Sequence, residues 1–308
     1  ARLARGGTPA DVVVLDIEMP VLDGLTALPE ILRADPGVRI LMASTLTTRG
    51  ADMALRAMRL GAADYIAKPG LAAIADDSFR RDLLAKVKGL AALRRRQIAV
   101  STPLTALRTL PPPRYAPHII AVGSSTGGPQ ALFSFFSGIG QNARVPIVLT
   151  QHMPAAFIPI LSDHLNRLGS LPCAEARHGQ PLLAGHAYLA PGDRHLLIDG
   201  SPGNLVARLS DSPPENFCRP SVDPMLRSAS AACAGRVLAV MLTGMGHDGL
   251  AGARQVVNCG GSVIAQDEAT SVVWGMPGAV AQAGLCWAVL PLSEIAGRVR
   301  DVLRMPKG

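Results

Sequence analysis

Ile119-Ile120-Ala121-Val122-Gly123-Ser124-Ser125-Thr126-Gly127-Gly128-Pro129-Gln130-Ala131-Leu132 is the stretch on which the fold turns. Its opening apolar run has the pattern of a strand buried on both faces of a parallel sheet. A turn of small residues then leads into a helix whose apolar face begins near Leu132 and Phe133. Three glycines and three hydroxyl residues in six positions let the backbone bend sharply and approach a ligand closely. Free N–H groups at the helix start aim at the same point, so the turn can present a serine oxygen beside a place for negative charge. Gly123-Ser124-Ser125-Thr126-Gly127 also satisfies the nucleophile-elbow pattern, in which a serine sits on a strained strand-to-helix turn. Such turns serve equally as phosphate cradles or plain connectors, so companion stretches must choose.

Two companions lie downstream. Pro146-Ile147-Val148-Leu149-Thr150 is a short buried strand that ends in Gln151-His152-Met153-Pro154, a suitable place for a general base. Val237-Leu238-Ala239-Val240-Met241-Leu242 is another, followed by Thr243-Gly244-Met245-Gly246-His247-Asp248-Gly249. A further unit runs from Ser262-Val263-Ile264-Ala265 through Trp274-Gly275-Met276-Pro277, and a strand over 286–290 with a closing helix through Leu303 completes the series. Repeated strand–helix units of this kind specify a doubly wound, mostly parallel α/β sheet. Ala187–Ala190, the turn 191–194 and His195–Ile198 are expected to form an inserted β-hairpin, and Ser221 or Asp223 to cap a helix with Pro224 in its first turn.

Ser125, His152 and Asp248 each follow a predicted parallel strand, and one fold rule places all three at the same sheet edge. A serine hydroxyl attacks an ester only when a neighbouring base takes its proton, and a carboxylate on the other imidazole nitrogen orients that base. Ser124 is a rival nucleophile and His247 a competing base. The chain order Ser, His, Asp differs from the Ser, Asp, His order of α/β-hydrolases.

The first hundred residues form a different pattern. Val12-Val13-Val14-Leu15-Asp16, Arg39–Ala43 followed by Ser44, and Asp64-Tyr65-Ile66-Ala67 followed by Lys68 read as three parallel strands, with helices between them and after the last. Pro29 is expected to kink the first of those helices. The strand ends gather Asp16, Ser44 and Lys68, as phosphoryl transfer to a carboxylate requires. Proline- and hydroxyl-rich residues over 97–116 read as a linker.

Composition narrows the classes. With 308 residues, 48% hydrophobic and 17% charged, the chain can build two compact domains. The net charge of +7 raises the question of nucleic acid, but no helix-turn-helix, zinc finger or aromatic stripe accompanies it. Arg94-Arg95-Arg96 is expected to be a solvated helix end. Five scattered cysteines indicate neither disulfides nor zinc and are expected to be buried free thiols. No apolar run reaches membrane-span length, so a soluble cytoplasmic protein is expected, with no membrane insertion.

Leu15-Asp16-Ile17-Glu18-Met19-Pro20 and Ala63-Asp64-Tyr65-Ile66-Ala67-Lys68-Pro69 resemble the response-regulator receiver family. The resemblance implies a flavodoxin-like domain with Asp16 as phosphoacceptor, Ser44 and Tyr65 as switch pair and Lys68 as phosphoryl partner. It also implies a Mg²⁺-binding acidic pair on a preceding strand. That strand, its helix and a second strand are missing here, so a truncated receiver over 1–96 with no complete metal site is expected, and phosphorylation of Asp16 is an open question. The stretches around Ser125, His152 and Asp248 closely resemble the catalytic domain of the CheB family, the chemotaxis protein-glutamate methylesterases; 189–196 and 263–277 extend the likeness. A receiver, a linker and this domain, here over 117–308, is that family's architecture. The resemblance implies Ser125 as nucleophile, His152 as base and then acid, Asp248 as its orienting carboxylate, and backbone N–H groups of Met245 and Thr126 as oxyanion hole. It implies methyl-accepting chemoreceptors as substrate, glutaminase activity on receptor glutamines, a chemotaxis histidine kinase as phosphodonor, and no cofactor for hydrolysis. Two rivals from other classes are a nucleotide-binding module, which lacks the Gly-Lys-Ser/Thr of a P-loop, and a regulator with a DNA-binding output.

Overall fold

The computed structural model describes residues 10–20, 22–68, 77–98 and 108–306. Contacts divide the chain into two compact units, 1–103 and 104–308. In the first, β1 (Val12–Asp16), α1 (Gly24–Ala34), β2 (Arg39–Ser44), α2 (Thr48–Arg59), β3 (Asp64–Ala67) and α3 (Asp77–Ile98) follow in order. The strands form a parallel sheet β1-β2-β3. Asp23 caps α1 by accepting a 2.7 Å hydrogen bond from Thr26 N–H, and Thr47 caps α2 through Gly50 N–H at 3.0 Å. α1 continues through Pro29 to Ala34.

Charge inside this unit departs from expectation. Arg94, anticipated as solvated, is buried, donating to Asp35 Oδ2 at 2.9 Å and to Ala10 O at 2.8 Å. The end of α3 packs where those acceptors converge, and an arginine stem can be buried once its guanidinium is paired. Lys86 of α3 is buried with its Nζ 2.7 Å from Asp64 Oδ2 and 5.7 Å from the Tyr65 ring centroid.

The second unit contains β4 (Ile119–Ser124), α4 (Gly128–Ile139), β5 (Ile147–Gln151), α5 (Ile158–Asn166), β6 (Cys173–Glu175), β7 (Gln180–Pro181), β8 (Ala187–Leu189), β9 (His195–Ser201), β10 (Asn204–Ser210), α6 (Val222–Ala232), β11 (Val237–Met241), α7 (Leu250–Asn258), β12 (Ser262–Gln266), α8 (Met276–Gln282), β13 (Ala288–Leu290) and α9 (Leu292–Leu303). Seven strands form one sheet in the order β13-β12-β11-β4-β5-β8-β6, parallel at every junction. β4 and β11 are buried at every residue, which explains their unbroken apolar runs.

The hairpin is not where the sequence pattern put it. Ala187–Leu189 pairs in parallel with β5 and β6 inside the main sheet, while β9 pairs antiparallel with β10 and, through it, with β7. All three residues of β8 are buried, the mark of an interior strand, and the turn residues 191–194 connect two sheets rather than two arms of one ribbon. Residues 99–107 of the connection expected over 97–116 lie outside the described residues. Its far end packs on the second unit, where Leu110 N–H donates to Cys286 O and Ala116 N–H to Pro306 O. Among the described residues no helix is long and apolar enough to cross a membrane.

Replacing Lys86 by Met leaves the Asp64 carboxylate buried without its cation, a loss of about 3–5 kcal/mol for a broken buried pair. Denaturant unfolding followed in the first unit is expected to show a midpoint lowered accordingly.

Candidate active site

β4 is flanked by β5 on one side and β11 on the other, so their carboxyl ends converge at one rim. Ser124 pairs in register with Gln151, and His152 N–H donates to Ser124 O at 3.1 Å, so Ser125 and His152 leave neighbouring strands side by side. Ser125 N–H donates to Thr243 O at 3.0 Å, fastening this turn to the one after β11. Gly244 makes the approach possible: a Cβ there would stand 2.9 Å from Ser125 Cβ and 2.4 Å from Met276 Sδ.

The two serines differ sharply. Ser124 is buried and its hydroxyl donates to Gln151 Oε1 at 2.6 Å. Ser125 is half-buried, and among the described residues its hydroxyl makes no hydrogen bond, to His152 or to any other group. The turn also lacks the strain of a true nucleophile elbow, since Ser125 does not have positive φ and the left-handed conformation falls on Gly127 at φ 74°. Gln151 Nε2 donates to both Ser125 O and His152 O at 2.9 Å, tying the two strand ends together from below.

His152 Nε2 lies 2.8 Å from Asp248 Oδ2, and both side chains are largely buried. The carboxylate receives further hydrogen bonds from Val222 N–H at 2.7 Å, Ser221 Oγ at 2.7 Å, Asn216 Nδ2 at 2.9 Å and Asp223 N–H at 3.2 Å. Ser221 stands at the N-cap of α6 but makes no side-chain cap bond; Asp248 performs that function from across the fold. Burial by itself raises the Asp248 pKa, but the hydrogen bonds from His152, Val222 and Ser221 outweigh it and bring the value down to about 2. Burial likewise depresses His152, yet its hydrogen bonds to Asp248 and to Cys218, whose Sγ is 3.5 Å from Nδ1, raise it to about 9. His247 is exposed, whereas Asp248 beside it is buried.

Met245 stands at the rim, 40% exposed. Among the described residues neither its N–H nor that of Thr126 is taken by a protein acceptor. In the first unit, Lys68 Nζ is 2.7 and 2.8 Å from the two oxygens of Asp16. Asp16 is held below the usual carboxylate range: its slight burial raises the value, but the Lys68 hydrogen bond and that from Glu18 N–H lower it further. Ser44 is buried with its hydroxyl on Thr45 O at 3.2 Å, and Tyr65 is buried at 6% exposure. Among the described residues no three or more His, Cys, Asp or Glu side chains group together as a metal would need.

Sequence reasoning overlooked four residues of this site. Gln151 and Ser221 lay in quoted motifs but carried no signal of their roles, while Asn216 and Cys218 belong to a segment without periodicity. The expectation of five buried thiols also fails, because Cys218 is half-buried and Cys259 exposed.

The pattern of the CheB methylesterase family matches residues 120–299, and that of the response regulator receiver domain matches residues 3–76. This chain belongs to the CheB methylesterase family. A Rhodospirillum centenum protein named protein-glutamate methylesterase/protein-glutamine glutaminase of group 2 operon is 52% identical over 325 residues, spanning 96% of this chain and 82% of its own length. An Azospirillum brasilense protein-glutamate methylesterase/protein-glutamine glutaminase is 51% identical over 94% of this chain and 80% of its own length. The crystal structure of the Thermotoga maritima CheB methylesterase catalytic domain superposes with a TM-score of 0.59 at 38% identity, covering 61% of this chain and 99% of that one.

A base must be neutral to accept a proton. If His152 is that base, its pKa of about 9 makes kcat/KM rise about tenfold per pH unit on the acid side and level off above pH 9, in a pH–rate profile. The stability signs are opposite for the two partners. His152 stabilises the fold fully below its ordinary 6.5 and loses that contribution as pH climbs through about 9; Asp248 contributes above 3.8 and loses it as pH falls through about 2.

Proposed function

We infer that this chain is a protein-glutamate methylesterase and protein-glutamine glutaminase that works through Ser125, His152 and Asp248. The observation that carries the reading is the 2.8 Å contact between His152 and Asp248 on the rim that also bears Ser125. Ser125 Oγ attacks the side-chain carbonyl of a glutamate methyl ester and its proton passes to His152 Nδ1, the ring nitrogen not engaged by Asp248. The carbonyl oxygen takes the negative charge facing the N–H groups of Met245 and Thr126, where one donor is typically worth about 3–4 kcal/mol of barrier. Collapse breaks the ester bond, and His152 returns the proton to the departing methanol. Water, deprotonated by the same imidazole, then attacks the acyl-serine and frees glutamate. With a glutamine side chain the first step expels ammonia instead.

The substrates are side chains of chemoreceptors, and the receiver match supports a histidine kinase as phosphodonor. Asp16, with Lys68 on its oxygens and Ser44 and Tyr65 close along the same sheet, is the candidate phosphoacceptor. The exposed Phe217 and Met245 lie on segments adjoining the rim and offer apolar contacts to a receptor helix.

Methanol release from methylated receptor membranes tests the assignment. Ser125→Ala and His152→Ala are each expected to lower kcat by at least roughly a thousandfold, and Asp248→Asn by about ten-thousandfold. Ser124→Ala retains activity; the converse result for the two serines overturns the choice of nucleophile. Phe217→Ala is expected to raise KM with kcat unchanged, as loss of uniform binding does.

A further inference from the structure

The segment before α6 holds a thiol against the candidate base. Glu215 and Cys218 exchange both backbone hydrogen bonds, at 3.1 and 2.9 Å, across a turn in which Asn216 and Phe217 have φ of 52° and 62°. Arg227 Nη2 grips the Glu215 carboxylate at 2.6 and 2.9 Å, and Asn216 Nδ2 bridges Asp223 and Asp248. One short turn therefore delivers an amide to Asp248 and a sulfur to His152 Nδ1. The other thiols have no such seat: Cys173, Cys233 and Cys286 are buried, their pKa values pushed up to about 12 by burial, and Cys259 is exposed.

We propose that Cys218 is a positioning residue that restrains the general base, its thiol competing with the Ser125 hydroxyl for His152 Nδ1. The inference rests on the assignment of Ser125 and His152 above. With His152 raised to about 9, both ring nitrogens carry protons at pH 7: Nε2–H donates to Asp248, and Nδ1–H is left for another acceptor. The Cys218 sulfur accepts it at 3.5 Å, and the Ser125 hydroxyl has no hydrogen bond among the described residues. A thiol sulfur is a weak acceptor, so a serine oxygen aligned by bound substrate displaces it. The thiol thus holds the base away from the nucleophile while the site is empty.

The charged and titratable groups around His152 come from three segments. They are Asp248 from the turn after β11, Cys218 from the segment before α6, and, one hydrogen bond further, Asp223 at the start of α6. Of these, Asp248 and Cys218 contact the ring, and both favour its protonated form. Removing the thiol therefore acts in one direction on two quantities. Nδ1 becomes free for serine, and the imidazole gives up its proton at lower pH.

The test uses the full chain and four forms: parent, Cys218→Ala, Cys218→Val and Cys218→Ser. The probe is an alkyl fluorophosphonate, which phosphonylates an activated serine without any receptor present. At pH 7 Ser125 labelling is expected to be roughly 3- to 10-fold faster in the Ala and Val forms, the span that one hydrogen bond commands. The acid limb of their methanol-release profile moves to lower pH, and the Ser form, which restores an acceptor oxygen, returns toward the parent. Two non-acceptor variants guard against one that fails to fold. Equal or slower labelling in the Ala and Val forms, with the acid limb unmoved, overturns the role of the thiol while leaving the triad intact. Absence of Ser125 labelling in all four forms overturns the nucleophile assignment and this inference with it.

Discussion

A buried carboxylate must find donors or lose its charge, and Asp248 finds five. They come from His152, Asn216, Ser221 and the backbone N–H groups of Val222 and Asp223. Each bond to a charged group is worth about 1.5–3 kcal/mol net, and together they outweigh the desolvation of a side chain only 3% exposed. Because those donors sit on three separate segments, satisfying one charge positions the start of α6, the loop before it and the end of β5 at once. The helix start supplies positive character that suits an anion, so the same contact caps α6 and orients an imidazole.

The sheet makes this arrangement possible. Parallel strands present all their carboxyl ends at one edge, and the pairing of β4 with β5 and β11 brings the turns after three strands together. Beneath that rim, Gln151 fastens the carbonyls of Ser125 and His152 with one amide, and Thr243 holds the serine turn from the other side. The proposed reacting groups thus stand on backbone that is itself hydrogen-bonded into strands, which is what preorganised catalysis requires.

The first unit uses charge differently. Lys68 spans both oxygens of the half-buried Asp16, a pairing that a phosphoryl group on that carboxylate would compete with, whereas Lys86 and Asp64 form an interior pair beside Tyr65. One lysine serves the strand-end site and the other braces the packing behind it.

Much of this was legible in the sequence. The unbroken apolar runs ending in Ser-Ser-Thr-Gly-Gly, Gln-His-Met-Pro and Gly-Met-Gly-His-Asp-Gly placed Ser125, His152 and Asp248 at one edge, because direction along a parallel strand fixes where its end must lie. Tertiary structure decided the rest. The seat of Cys218, the amide of Asn216 and the choice of Asp248 over Ser221 as the cap of α6 involve partners 7 to 66 residues apart, in or facing a loop without periodicity. The misplaced hairpin has the same origin, for Pro-Gly-Asp-Arg after Leu189 turns the chain without naming the strand it will meet. Local propensity specifies that a chain bends; which groups then satisfy a buried charge is settled only when distant segments close around it.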